Sequence, residues 1–195
     1  MIVSHVILGA GWIAYCTLHS IFASTKFKLC AEKWLRKQYR FYRLYYTIFA
    51  FVSFAVILAY LFAIPSPRIL NTGIITAVTG TIVSLSGLTI MCICIVKYFM
   101  QLSGLKGLIE NRTGNKLMIT GIHKFVRHPL YTGTFLFIWG LLILFPTVSV
   151  LITDIVITSY TLVGLRFEEH KLEKEFGAAY KKYKQNVPML IPKID

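Results

Sequence analysis

Several apolar runs in this chain exceed the ~18–20 residues needed to cross a hydrocarbon core, and that limits it to a membrane fold. Hydrophobic residues make up 56% of its 195 positions, more than a soluble domain of this length carries. The runs read as five spans, at about 2–23, 44–64, 72–99, 129–145 and 147–165. Pro65 and Pro67 stop the second and Pro146 stops the fourth, because proline cannot continue a helix. Nothing but a tight turn separates the last two spans, so they form a helical hairpin. The first run lacks a basic leading region and a small-residue cleavage site, and reads as a retained span. The expected architecture is all-α: an integral membrane bundle of five transmembrane helices, forming one domain over residues 1–195.

The net charge is +13, which in a soluble chain would point to nucleic acid. Here the basic residues fall in blocks between spans. Lys26, Lys28, Lys33, Arg36, Lys37, Arg40 and Arg43 follow the first span. Lys97, Lys106, Arg112, Lys116, Lys124 and Arg127 follow the third, and Arg166, Lys171, Lys174, Lys181, Lys182, Lys184 and Lys193 follow the fifth. The intervening turns hold Arg68 alone. The positive-inside rule therefore predicts an outside N-terminus, with both long loops and the tail in the cytoplasm of a bacterial inner membrane or an endoplasmic reticulum. Basic side chains then meet lipid headgroups, and no nucleic-acid partner is expected.

Other polar residues are expected to be structural. Cys16, Cys30, Cys92 and Cys94 form no C-x-x-C pair, and His5 and His19 have no metal-ligand spacing, so no metal site is expected. Gly9, Gly11, Ser84, Ser86 and Gly87 read as close helix packing. Asp154 reads as an interhelical hydrogen-bonding group. Leu172, Phe176, Tyr180 and Tyr183 recur at helical spacing, so residues 166–184 read as a cytoplasmic amphipathic helix that Gly177 kinks.

Chemistry concentrates at the two ends of the hairpin. Pro129 suits the first helical position and places His128 at the cap. The first-turn N–H groups then favour a carboxylate or phosphate, Arg127 adds fixed positive charge, and Tyr131 lies one turn in. At the other end Glu168 and Glu169 stand at the membrane surface, able to neutralise Arg127 or Arg166, or to bind a cationic ligand. Helical spacing alone leaves open which glutamate faces inward. Anion site, acids and aromatics together are compatible with a zwitterionic, ring-bearing cofactor.

The run Gly121-Ile122-His123-Lys124-Phe125-Val126-Arg127-His128-Pro129-Leu130-Tyr131-Thr132-Gly133 resembles the G-x-Y-x-x-x-R-H-P-x-Y-x-G signature of membrane methyltransferases. That family includes isoprenylcysteine carboxyl methyltransferases and phospholipid methyltransferases. Glu168-Glu169-x-x-Leu172, Phe176-Gly177-x-x-Tyr180-x-x-Tyr183 and Val187-Pro188-x-x-Ile191-Pro192 resemble its C-terminal signature. The resemblance covers about residues 114–193, with spans one to three and their loops in residues 1–113. His19-Ser20 and Arg40-Phe41-Tyr42-Arg43-Leu44-Tyr45 are similar to the methanethiol S-methyltransferase-like branch. The resemblance implies S-adenosylmethionine as cofactor, with Asn115, Lys116, Leu117, Met118, His123, His128, Pro129, Leu130, Tyr131 and Glu168 around it. Arg127, Arg166 and Glu169 are the candidate catalytic residues, the last two with His123 to orient the acceptor or take its proton. The sequence departs from the pattern at His123, where the family has Tyr, and at Gly164, where the isoprenylcysteine enzymes have a substrate-handling Arg.

The expected function is methyl transfer, at the cytoplasmic face, to a lipophilic or small membrane-permeant acceptor: a thiol, a prenylcysteine carboxylate or a lipid. One rival is an NADPH-dependent membrane reductase of the sterol-reductase type, which would bind a dinucleotide. The other is a non-enzymatic transporter or accessory protein, for which only Asp154 and Lys97 supply intramembrane charge.

Overall fold

The computed structural model describes residues 1–102 and 117–193, with only the backbone described over 98–102. It is helical, with no strand among the described residues. In order come α1 (Ile2–Ala23), α2 (Thr25–Leu35), a 3-10 turn (Arg36–Phe41), α3 (Tyr42–Ala63), α4 (Ile74–Leu102), a second 3-10 turn (Gly121–Lys124), α5 (Pro129–Leu144) and α6 (Val148–Asn186).

The spans expected from the apolar runs are present. Among the described residues four helical stretches are long and apolar enough to cross a membrane, as in a multi-pass membrane protein. The expected fourth span is the short one: α5 has 16 residues. At ~1.5 Å per residue that is about 24 Å, less than a ~30 Å core. Pro129 and Pro146 set its limits. The fifth span does not end at residue 165, because its helix runs on into the amphipathic segment up to a kink at Gly177, beyond which a second helical stretch reaches Asn186.

Two compact units make up the chain, and α6 contributes to both. One comprises Met1–Asn71 and Pro146–Tyr160. In it α1 turns His5, Leu8, Trp12 and Cys16 inward. The fully buried Trp12 donates its indole N–H to Thr153 Oγ1 at 2.8 Å, which satisfies the polar edge of a large apolar group. His5 donates through Nδ1 to the Met1 carbonyl (2.8 Å), and its Nε2 meets Ser66 Oγ (3.2 Å). His19 pairs with the Tyr46 hydroxyl at 2.9 Å. A lone antiparallel bridge joins Arg68 to Thr147. Asp154 is buried, but its Oδ2 has no hydrogen-bond partner among the described residues, so this oxygen does not make the interhelical bond expected of it.

The other unit comprises Thr72–Phe145 and Thr161–Asp195. Here α4 and α5 touch backbone to backbone. A Cβ on Gly140 would come within 2.6 Å of the Ser84 amide, and one on Gly87 would overlap the Phe137 amide. Of the small residues that read as packing features, Ser84 and Gly87 allow this approach, together with Gly140, which that reading did not include. The same close approach recurs at Gly133, one turn into α5, where a Cβ would come within 2.9 Å of the Gly87 carbonyl.

Candidate active site

The site is built around the start of α5. His128 is the N-cap and Pro129 the first helical residue. Proline has no N–H to leave orphaned there, and its fixed φ is already helical. Arg127, His128 and Pro129 are buried, while Leu130 and Tyr131 are half-buried.

Glu169 lies against this cap, and its carboxylate is saturated. Oε1 accepts from Arg127 Nε (2.9 Å), His128 Nε2 (2.8 Å) and the Tyr180 hydroxyl (2.7 Å). Oε2 accepts from Arg127 Nη2 (3.0 Å), and Lys184 Nζ stands 3.5 Å away. Burial would raise this carboxyl. The hydrogen bonds from Arg127, Tyr180 and His128, with the charge of Arg127, outweigh it and hold the group at about 2. Burial and the neighbouring carboxylate push the Tyr180 phenol up.

The remaining donors of Arg127 go to the tail: Nη1 donates to the carbonyls of Lys184 and Val187. The backbone follows suit. Arg127 N–H donates to Pro188 O (2.9 Å) and His128 N–H to Met189 O (3.1 Å). Thr132 Oγ1 donates to Leu190 O (2.8 Å), and the Tyr183 hydroxyl to His123 O (2.6 Å). Residues 183–190 thus form a strap across the cap. Gly177 makes the strap's path possible. Its backbone lies at φ 55°, ψ −125°, outside the helical region and open to glycine alone at little cost, so the anticipated kink is real.

Glu168 has a different environment. It is half-buried and accepts from the Tyr131 hydroxyl through Oε2 at 2.9 Å. Its other oxygen has no hydrogen-bond partner among the described residues. His123 sits in the 3-10 turn and donates through Nδ1 to the Arg127 carbonyl (3.1 Å). Burial, with His128 and Lys97 as neighbours, holds its imidazole below the ordinary value despite that bond.

The structure therefore brings together His123, Arg127, His128, Pro129, Leu130, Tyr131, Glu168 and Glu169. Arg166 is exposed, and Leu117 and Met118 are half-buried in an irregular stretch. Asn115 and Lys116 lie outside the described residues. Sequence reasoning placed Tyr180, Tyr183 and Lys184 on an amphipathic face and missed their part in the network. The available signal was chemical: tyrosines on an apolar stripe carry hydroxyls that need partners when buried. Among the described residues no group of three or more His, Cys, Asp or Glu is placed to hold a metal.

Known proteins resemble this chain over the region of the site. The phospholipid methyltransferase family matches residues 68–179, more than half of the chain and most of the site. Methanethiol S-methyltransferase 2 of Bradyrhizobium diazoefficiens is 42% identical over 73 residues, which are 37% of this chain and 27% of that enzyme. Methanethiol S-methyltransferase 1 of the same organism is 30% identical over 187 residues, 91% of this chain and 63% of that enzyme. The protein-S-isoprenylcysteine O-methyltransferase of Schizosaccharomyces pombe is 37% identical over 89 residues, 44% of this chain and 37% of that one. The chain thus spans between about a quarter and just under two thirds of the length of these relatives. No solved structure matches it. The helical membrane fold, the capped start of α5 with its paired glutamates and the family match agree: this chain belongs to the phospholipid methyltransferase family.

Proposed function

We propose that the chain is an S-adenosylmethionine-dependent methyltransferase acting at the cytoplasmic face of its membrane. The observation that carries the reading is the contrast between the two adjacent glutamates. Glu169 is consumed by the cap, whereas Glu168 keeps one oxygen without a partner among the described residues, beside Tyr131. The residues fit the cofactor's amino-acid end. Glu168 would take the ammonium, and the first-turn amides of α5, which have no partner within the helix, would take the carboxylate. When bound, the cofactor supplies an electrophilic methyl group on a sulfonium.

The chain's own residues position and exclude water. Arg127 and Glu169 act as positioning residues, because their charges are already neutralised by each other. A carboxyl held at about 2 is a poor proton acceptor near neutral pH, so Glu169 is not the base in this reading. His123, held neutral, is the better-matched acceptor of a proton, if the methyl acceptor releases one. Arg166 is exposed and available to a substrate approaching from the headgroup region. A thiolate or carboxylate acceptor needs no strong base, and the relatives named for methanethiol make a small thiol the first class to test.

Transfer of labelled methyl from S-adenosylmethionine to a panel of small thiols, a prenylcysteine and phospholipids tests the proposal. Labelled product with at least one class is expected. No transfer to any class, alongside binding of NADPH, would point to a reductase instead.

A further inference from the structure

The segment between α1 and α3 carries six basic residues, Lys26, Lys28, Lys33, Arg36, Lys37 and Arg40, against one acid, Glu32. All six are exposed. It joins two apolar helices of 22 residues each, α1 and α3, a length that crosses a hydrocarbon core, so its two ends belong at one membrane surface. Fewer than twenty residues lie between them, too few to carry the charge far from that surface.

Its local structure gives the charge a direction. Ser24 Oγ caps α2 by accepting from the Phe27 amide at 3.2 Å. Phe27, Ala31 and Leu35, spaced four apart, turn towards the protein, with Ala31 buried. Lys26, Leu29, Cys30, Lys33 and Trp34 then share another stripe, at i, i+3, i+4, i+7 and i+8, and all are exposed. Trp34 is 87% exposed and Leu29 is 56% exposed. An apolar stripe interleaved with lysines suits neither water nor a wholly polar partner. It suits an interface, where tryptophan lies among the headgroups and lysine stems extend to phosphates. The 3-10 turn continues the surface with Lys37 and Arg40, whose guanidinium lies 4.5 Å above the Phe41 ring.

We propose that this stripe of α2 and the following turn form a docking surface for anionic phospholipid headgroups. Trp34 and Leu29 enter the interface, while Lys26, Lys33, Lys37 and Arg40 bind the phosphates. The complement is a leaflet bearing net negative charge, since zwitterionic headgroups offer the same phosphates with the charge cancelled. The inference does not rest on the methyl-transfer reading.

The test uses the full chain in nanodiscs of phosphatidylglycerol and phosphatidylcholine, with acyl bromine on one lipid or the other. Trp34 emission is taken as the difference between the parent and Trp34→Phe. Stronger quenching by brominated phosphatidylglycerol at equal mole fraction is expected. The variant Lys26→Gln/Lys33→Gln/Lys37→Gln/Arg40→Gln should lose that preference by about tenfold in apparent affinity, and the matching lysine-to-arginine variant should keep it. In the parent the preference should weaken as salt rises. Equal quenching by the two lipids, no quenching by either, or a preference insensitive to salt would overturn the proposal.

Discussion

Glu168 and Glu169 are neighbours with opposite fates. One ends in a partly open environment beside Tyr131, the other in a buried ion pair with Arg127. Glu169→Gln would leave Arg127 charged and buried without a counter-ion, and breaking such a pair costs about 3–5 kcal/mol. A clear drop in the thermal midpoint in detergent is expected, and an unchanged midpoint would deny Glu169 its structural role. The same pair makes stability pH-dependent. The Glu169 carboxyl is held at about 2, below an ordinary 4.5, so the unfolded chain binds the proton more readily. Its contribution, on the order of 3 kcal/mol, is complete above about 4.5 and is lost as the pH falls towards about 2. The thermal midpoint of the parent should therefore fall more steeply on acidification through that window than that of Glu169→Gln. Much of this site was legible in the sequence: the cap, the helix start and the acid pair all follow from local pattern. The fate of Arg127 was legible in part. It was expected to add positive charge at an anion site or to be neutralised by one of the glutamates, and the second holds with Glu169; its further bonds to carbonyls nearly sixty residues away follow from no local spacing.

At the scale of elements, the span boundaries followed from hydropathy and proline, and α1 begins and ends where expected. The length of α6 was hidden, because an apolar span and an amphipathic helix in continuous register look like two elements when read by composition. Gly177 is where that continuity breaks. A Cβ there would meet nothing within 4 Å, so the whole cost of Gly177→Ala is backbone strain at φ 55°. About 1–2 kcal/mol of destabilisation is expected. Hydrogen exchange checks it: amides of residues 183–190 should exchange faster in the variant, and unchanged protection would show that the strap does not depend on this turn.

For the molecule as a whole, charge distribution carries the topological argument. The exposed Cys30 lies in the basic segment between α1 and α3, and serves as a reporter. A membrane-impermeant maleimide should label it in inverted vesicles and spare it in intact cells, and the reverse pattern would invert the topology. The family match to residues 68–179 covers all of α5 and most of α6, the helices that carry the candidate site. The central claim is that Glu168 binds the methyl donor while Glu169 holds the cap that receives it. Calorimetry of the purified chain with S-adenosylmethionine tests this most directly. The parent should bind, and Glu168→Ala should weaken binding at least tenfold while keeping the parent's thermal midpoint in the absence of ligand, as expected on losing a charge-assisted contact worth about 1.5–3 kcal/mol. No binding by the parent, or equal affinity in the variant, would contradict the account.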